Sequence, residues 1–324
     1  MDDLTIRQAE EADRSAVIEL CRASLGWQPD DPNEQFFAWK HDDNPYGRSP
    51  AWVAESGGRL VGLRVFLRWR FRDGSGEHIE AVRAVDTATH PDAQGQGIFT
   101  KLTLGALPDL HELGIDVVFN TPNDKSRPGY LKMGWSQVGK VPVGVRIARP
   151  ASVRAVLGAR AAAAKWSEPC SIGLDPTVAF ADDDEVGRLV ASRRRADRIS
   201  TDVDAPYLRW RYSFGPLVYR VEPMGDRVSD GVVVFRLRRR GAAIEATIAE
   251  VLGGSTGSAR SAVGRILRGT GADYAIAGGG AGLIPMAFVP APPLGPILTW
   301  KPVRRDGIPA VSDLALALGD VELF

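Results

Sequence analysis

The chain of 324 residues is poor in the features that usually fix a protein's setting. It has two cysteines, Cys21 and Cys170. Neither has a Cys-x-x-Cys partner, which points to packed thiols rather than a bridge. Its four histidines are scattered without metal-ligand spacing, so no metal is expected. Forty basic residues offset forty acidic ones, which leaves no broad positive footprint for nucleic acid. No apolar run reaches the ~18 residues of a membrane span. The opening Met-Asp-Asp-Leu-Thr has no basic region with an apolar stretch behind it, and a cytoplasmic protein is expected. Lysine is scarce beside arginine, a weak pointer to a bacterial, GC-rich genome. A Walker loop is also missing. The Rossmann fingerprint fails because Gly95-Gln96-Gly97 is followed by Ile98-Phe99-Thr100, without the third glycine.

What remains is an ordinary globular composition, 44% apolar and 25% charged, in a chain long enough for two cores. One stretch organises it, Ala84 to Trp135. Val85, Thr87 and Thr89 alternate with Asp86 and Ala88, as residues on opposite faces of a strand do. His90-Pro91 stops that strand. Gln94-Gly95-Gln96-Gly97 makes a loop whose backbone N–H groups can approach an anion closely. A helix opens near Ile98, with unpaired N–H groups and a partial positive charge at its start. Strand, glycine loop and helix N-terminus together form a pyrophosphate cradle.

This segment resembles motif A of the GNAT superfamily of acyl-CoA-dependent N-acyltransferases, Gln/Arg-x-x-Gly-x-Gly/Ala, in Gln94-x-x-Gly97-x-Phe99. Phe99 departs from the usual small residue. A second resemblance is independent: Asn123, Ser126, Tyr130, Gly134 and Trp135 stand at the superfamily's spacings. The resemblance covers residues 1–150. It implies an α/β fold, an α+β mixed sheet, and an acyl group, most simply acetyl, carried from CoA to a primary amine of a small molecule. Acetyl-CoA or another acyl-CoA is then the co-substrate. The residues implied to hold it are Thr87, Ala88, Thr89, Gln94, Gly95, Gln96, Gly97, Phe99, Thr100, Asn123 and Ser126. Tyr130 stands at the general-acid position, where a phenol can protonate the departing thiolate. Asp86, on the central strand, is the first candidate base, against the plainer reading of an ion pair with a strand arginine. A second candidate comes from resemblance to the mycobacterial enhanced-intracellular-survival acetyltransferases, whose terminal carboxylate reaches the acceptor site; here that is Phe324. Other readings are an aminoacyl-tRNA-dependent transferase of the peptidoglycan-bridge type, a CoA-binding sensor and an interaction module. Nothing in the sequence selects an acceptor or an oligomeric state.

The rest of the chain supplies the frame. A strand at Leu4–Arg7, a helix over Glu11–Ala23 and strands at Ala51–Glu55, Arg59–Arg72 and Glu77–Thr89 precede the cradle. Pro108 should kink or shorten the helix over Gly97–Leu113, since it removes one internal hydrogen bond. Ile115–Phe119 is the parallel partner of the central strand. The expected domains are 1–150, a connector at 151–170, and 171–324. The last repeats the first. Asn33-x-x-Phe36-Phe37-x-Trp39-Lys40 matches Asp204-x-x-Tyr207-Leu208-x-Trp210-Arg211, and Tyr130–Trp135 matches Leu283–Phe288. The second copy has Gly253-Gly254-Ser-Thr-Gly257 at the cradle and Leu283 in place of Tyr130. It is therefore expected to keep the fold and lose the cofactor grip.

Overall fold

The computed structural model describes residues 4–158, 161–192 and 197–322. In chain order these give β1 (Thr5–Gln8), α1 (Arg14–Leu25), α2 (Asn33–His41), β2 (Ala51–Ser56), β3 (Arg59–Arg72), β4 (His78–Thr89), α3 (Ile98–Gly105), α4 (Leu107–Glu112), β5 (Val117–Asn120), α5 (Arg127–Lys132) and β6 (Ser136–Lys140). There follow β7 (Val143–Ile147), α6 (Val153–Gly158), α7 (Pro176–Ala179), α8 (Asp183–Ser192), β8 (Ser200–Thr201), α9 (Ala205–Tyr212), β9 (Arg220–Pro223), β10 (Val232–Arg240), β11 (Ala243–Leu252) and α10 (Thr256–Thr270). The chain closes with β12 (Tyr274–Gly278), β13 (Val289–Pro290), β14 (Ile297–Pro302) and α11 (Leu318–Val321). Contacts divide it into two compact units, Met1–Gly139 with Ile297–Ala310, and Lys140–Pro296 with Val311–Phe324. This differs from a cut at residue 150 in two places, because hydrogen bonding assigns β7 to the second unit and β14 to the first.

In the first unit the strand order is β1-β2-β3-β4-β5-β14-β6. β4 and β5 are parallel, and β14 runs antiparallel to β5, with Thr299 opposite Asn120 and Pro302 opposite Val117. The far half of β3 alternates as a half-buried strand should: Leu67, Trp69 and Phe71 are buried, and Arg68, Arg70 and Arg72 stand on the other face. Those arginines are engaged locally, Arg70 with Glu80 at 2.8 Å and Arg72 with the Gly76 carbonyl at 2.9 Å. The core under the cradle joins Trp52, Phe66, Val82 and Ala84 of the sheet to Ile98, Leu102 and Leu110 of α3 and α4. Helix α3 lies close on β3 at Gly62, where a Cβ would stand 2.5 Å from Ile98 Cγ2. Pro108 ends the first helical run as expected and sits in the first turn of α4.

The second unit has the order β13-β7-β12-β11-β10-β9. Its β10, β11, α10, β12 repeat the sequence β3, β4, α3, β5, with β11 and β12 again parallel. The stretches matched in the sequence also share burial and local geometry. Phe36, Phe37, Trp39 and Lys40 are buried on α2, and so are Tyr207, Leu208, Trp210 and Arg211 on α9. The Trp135 N–H donates to the Tyr130 carbonyl at 3.1 Å, and the Phe288 N–H donates to Leu283 at 3.0 Å. Between them, Gly134 (φ 87°) and Ala287 (φ 65°) share the left-handed conformation. The second unit also holds a buried polar network. Glu322 accepts from Arg236 Nε at 2.8 Å and from Tyr219 Oη at 2.7 Å, with Arg238 at 3.4 Å.

Candidate active site

The site begins where two strands part. β4 and β5 pair at Ala81–Val117, Val82–Val118 and Arg83–Phe119. β4 then runs on to Thr89 while β5 ends at Asn120. Past Arg83 the β5-facing edge of β4 therefore keeps backbone groups available to a ligand. On its other edge β4 slips register against β3 between Leu63 and Val65. Asp86 takes φ 42° at this bulge, a left-handed conformation that an aspartate adopts at some cost.

The cradle follows. Gly95 (φ 77°) and Gly97 (φ 74°) lie in the left-handed region, and a Cβ on either would meet nothing within 4 Å. Backbone conformation, not crowding, demands glycine here. Gly97 caps α3 without a side chain, so the first turn of α3 keeps its N–H groups for a ligand. Gln94 and Gln96 are exposed beside it and their amides reach back only weakly, each at 3.5 Å, to the Thr89 and Asp92 carbonyls. Thr100 is exposed on the same helix. An open, uncapped helix N-terminus after two left-handed glycines fits an anionic group such as a pyrophosphate. The second unit differs at the same place. Ser255 caps α10 with its own hydroxyl, which accepts from the Ser258 N–H at 3.1 Å, and a Cβ on Gly254 would lie 2.4 Å from the Met224 sulfur.

Facing α3 is α5. Asn123 folds the chain into it: its side-chain oxygen accepts from the Lys125 and Ser126 N–H groups at 3.0 and 2.9 Å and from the Ser126 hydroxyl at 3.1 Å. Both side chains are thus engaged in a turn. Tyr130 is buried, its ring edge-on to Phe99 at 5.3 Å and to Trp135 at 5.4 Å. Phe99 fills the gap between α3 and α5, and Gly129 makes room for it, since a Cβ there would stand 2.9 Å from the Phe99 ring. The departure at Phe99 is matched by this glycine across the gap. Beneath these rings lies Arg64 of β3, fully buried. Its guanidinium stands 4.8 Å from the Phe66 ring, 5.3 Å from Tyr130 and 5.8 Å from Phe99, and one nitrogen, Nη1, donates to the Thr87 hydroxyl.

The opposite face of the sheet carries a second cluster. Asp86 is buried and accepts from Lys40 Nζ at 2.8 and 3.0 Å and from His41 Nε2 at 2.7 Å. Its partners come from α2, not from a strand arginine. Burial pushes the carboxyl up, but Lys40 and His41 outweigh it and hold Asp86 well below the ordinary carboxylate range. Because Asp86 is ionised, the His41 Nε2 carries the proton and Nδ1 accepts from the Ser49 hydroxyl at 3.0 Å. Burial lowers His41 below 6.5, against the pull of Asp86. His41 and Ser49 line a cavity of about 260 Å³ with Phe37, Leu63, Val65 and Arg68. Phe324 lies outside the described residues.

Sequence reasoning missed His41 and Ser49, because no spacing rule ties α2 to a strand residue 45 positions away. Arg64 left a signal that could have been used: one charge inside the apolar run Leu60-Val61-Gly62-Leu63-Arg64-Val65-Phe66-Leu67.

A family model described as an acetyltransferase (GNAT) domain matches residues 5–138. A search of curated proteins returned no match. Among solved structures, the chain is similar to a conserved protein of Enterococcus faecalis V583 named as a probable N-acyltransferase, at 14% identity and TM-score 0.66, over 93% of this chain and 73% of that one. It is equally similar in fold to a GCN5-related N-acetyltransferase of Anabaena variabilis, at 12% identity, TM-score 0.66 and the same coverage. Eis1 of Mycobacterium abscessus aligns at 16% identity and TM-score 0.51 over 84% of this chain and 64% of that one. At these identities the likeness is one of fold. The family match covers residues 5–138, the stretch that holds the parted strands and the uncapped glycine cradle, and the solved structures share the fold over 93% of the chain.

Proposed function

We propose that the protein transfers an acyl group from CoA to the primary amine of a small molecule, and that the first unit carries the reaction. The observation that supports this most is the continuity of three parts: the free edge of β4, the uncapped start of α3 and the buried Tyr130 across the gap. In this reading Gln94–Gly97 and the first turn of α3 hold the pyrophosphate, and the residues from Val85 to Thr89 offer N–H groups to the thioester oxygen. Tyr130 supplies the proton for the departing thiolate. The acceptor occupies the cavity beside His41. Its ammonium loses a proton through Ser49 Oγ to His41 Nδ1, and the Asp86 carboxylate steadies the imidazolium that results. Asp86 then acts through His41, a role that its ion pair with Lys40 permits. The second unit is read as a duplicated copy without the grip, since Ser255 closes its helix start and Leu283 replaces the phenol.

Calorimetric titration of acetyl-CoA into the wild type and a Gly97→Trp variant tests the reading. One saturable site is expected in the wild type, lost in the variant while its circular dichroism is retained. Equal binding by both proteins would separate the cradle from the ligand, and no binding at millimolar concentration would end the acyl-CoA reading.

A further inference from the structure

Arg64 has a vacant recognition edge. Among the largest fully buried side chains are three arginines, Arg64, Arg211 and Arg236. Two of them are answered by oxygen acceptors: Arg211 donates to the Gly319 carbonyl, and Arg236 meets the Glu322 carboxylate with Nε and Nη2. Arg64 has no carboxylate among the described residues, and its Nε and Nη2 have no hydrogen-bond partner. Those two nitrogens form the side-on fork of a guanidinium, the same edge with which Arg239 grips both oxygens of Glu168 at 2.9 and 3.1 Å. Rings at 4.8–5.8 Å engage the guanidinium through their π-faces and satisfy no in-plane N–H. A buried fork without an acceptor costs stability unless a ligand supplies one.

The side of the sheet says which ligand. Leu63 and Val65 line the cavity beside His41, and Arg64 between them points to the other face, among Phe99 of α3 and Tyr130 of α5. That is the face of the cradle and the leaving-group phenol, so the missing carboxylate belongs to the acyl donor and not to the acceptor. We propose, on the acyl-CoA reading above, that the donor is a dicarboxylic acyl-CoA of the malonyl or succinyl class, whose terminal carboxylate takes the Nε–Nη2 edge of Arg64. The edge is closed to solvent in this structure, and the half-buried Phe99 ring is the side chain that turns aside to admit the acyl chain.

The test is calorimetric titration of succinyl-CoA, butyryl-CoA and acetyl-CoA into the wild type and Arg64→Met. Butyryl and succinyl chains match in length and differ in the carboxylate. The wild type is expected to bind succinyl-CoA at least about tenfold more tightly than butyryl-CoA, on the usual scale of charge-assisted hydrogen bonds, and Arg64→Met to bring that ratio to about one. Equal wild-type affinities for the succinyl and butyryl esters overturn the proposal and leave the acyl-CoA reading standing; that ratio decides even if the variant fails to fold. A preference unchanged in folded Arg64→Met overturns it too, as does a carboxylate-dependent affinity for an α-amino acid over its amide that vanishes with Arg64. Failure of all three esters to bind overturns both readings.

Discussion

At the residue scale the two proposed proton-transfer groups stand on opposite faces of one sheet and can be tested separately. Replacing Tyr130 by Phe removes a proton donor and keeps a ring packed on Phe99 and Trp135. Turnover should fall by about 10²–10⁴-fold, with affinity for the acyl-CoA little changed; single-turnover kinetics beside calorimetry would show it. His41 works as a base in its neutral form. Because burial lowers it below 6.5, the acid limb of kcat/KM should lie below pH 6.5, activity being present above the limb and lost as pH falls through it. His41→Gln should abolish that limb along with most of the rate, and a pH–rate profile of both proteins checks the assignment. Much at this scale was legible in advance. Gly95 and Gly97 take left-handed φ values in the loop that the sequence assigned to them, because backbone demands leave a mark on sequence. Asp86 was legible as an acid on the central strand, and its Lys40–His41 pairing was not, because the partners meet only in three dimensions. Phe99 could be noticed as a departure, but its compensation by Gly129 needs both helices in place.

At the element scale the residue that caps the short helix α11, Glu322, is held in a buried network of arginines. Arg236, Arg238 and Arg211 hold the Glu322 carboxyl at about 2 from an ordinary 4.5, against the upward push of burial. A carboxyl depressed on folding stabilises the protein above its unfolded value, and that stability drains away as pH falls from 4.5 towards 2. Glu322→Gln should therefore cost about 3–5 kcal/mol at pH 7, since it leaves buried guanidinium groups without their counter-charge. The same variant should flatten the loss of stability between pH 4.5 and 2; urea unfolding at several pH values measures both. Elements were read well where period and punctuation agreed. Pro108 marked the α3–α4 break, and the alternation in β3 survived even its arginines. The matching left-handed turns at Gly134 and Ala287 were hidden behind Ala287, since alanine gives no hint of positive φ.

At the scale of the molecule the domain boundary was the least legible feature. Hydrophobic pattern identifies strands but not their neighbours, and β14 has no local mark that assigns it beside β5. In place, Trp300 stacks on Phe71 at 6.0 Å and packs near Phe119 at 6.4 Å, and both Trp300 and Leu298 are buried. A fragment of residues 1–150 lacks these side chains and exposes the β5 edge, so it should be aggregation-prone and without a cooperative melt. Joining residues 297–310 to residues 1–139 through a flexible linker should restore one; differential scanning calorimetry distinguishes the two fragments.

The late position of β14 also bears on how the protein is made. A ribosome that has finished residue 140 still has half the length of this sequence to add before Pro302 is made, roughly ten to thirty seconds at bacterial elongation rates. Throughout that interval β14, the strand that sits between β5 and β6, is missing from the first sheet. The nascent chain thus carries an open β5 edge, which makes this stretch of translation the period when chaperone occupancy matters most for yield.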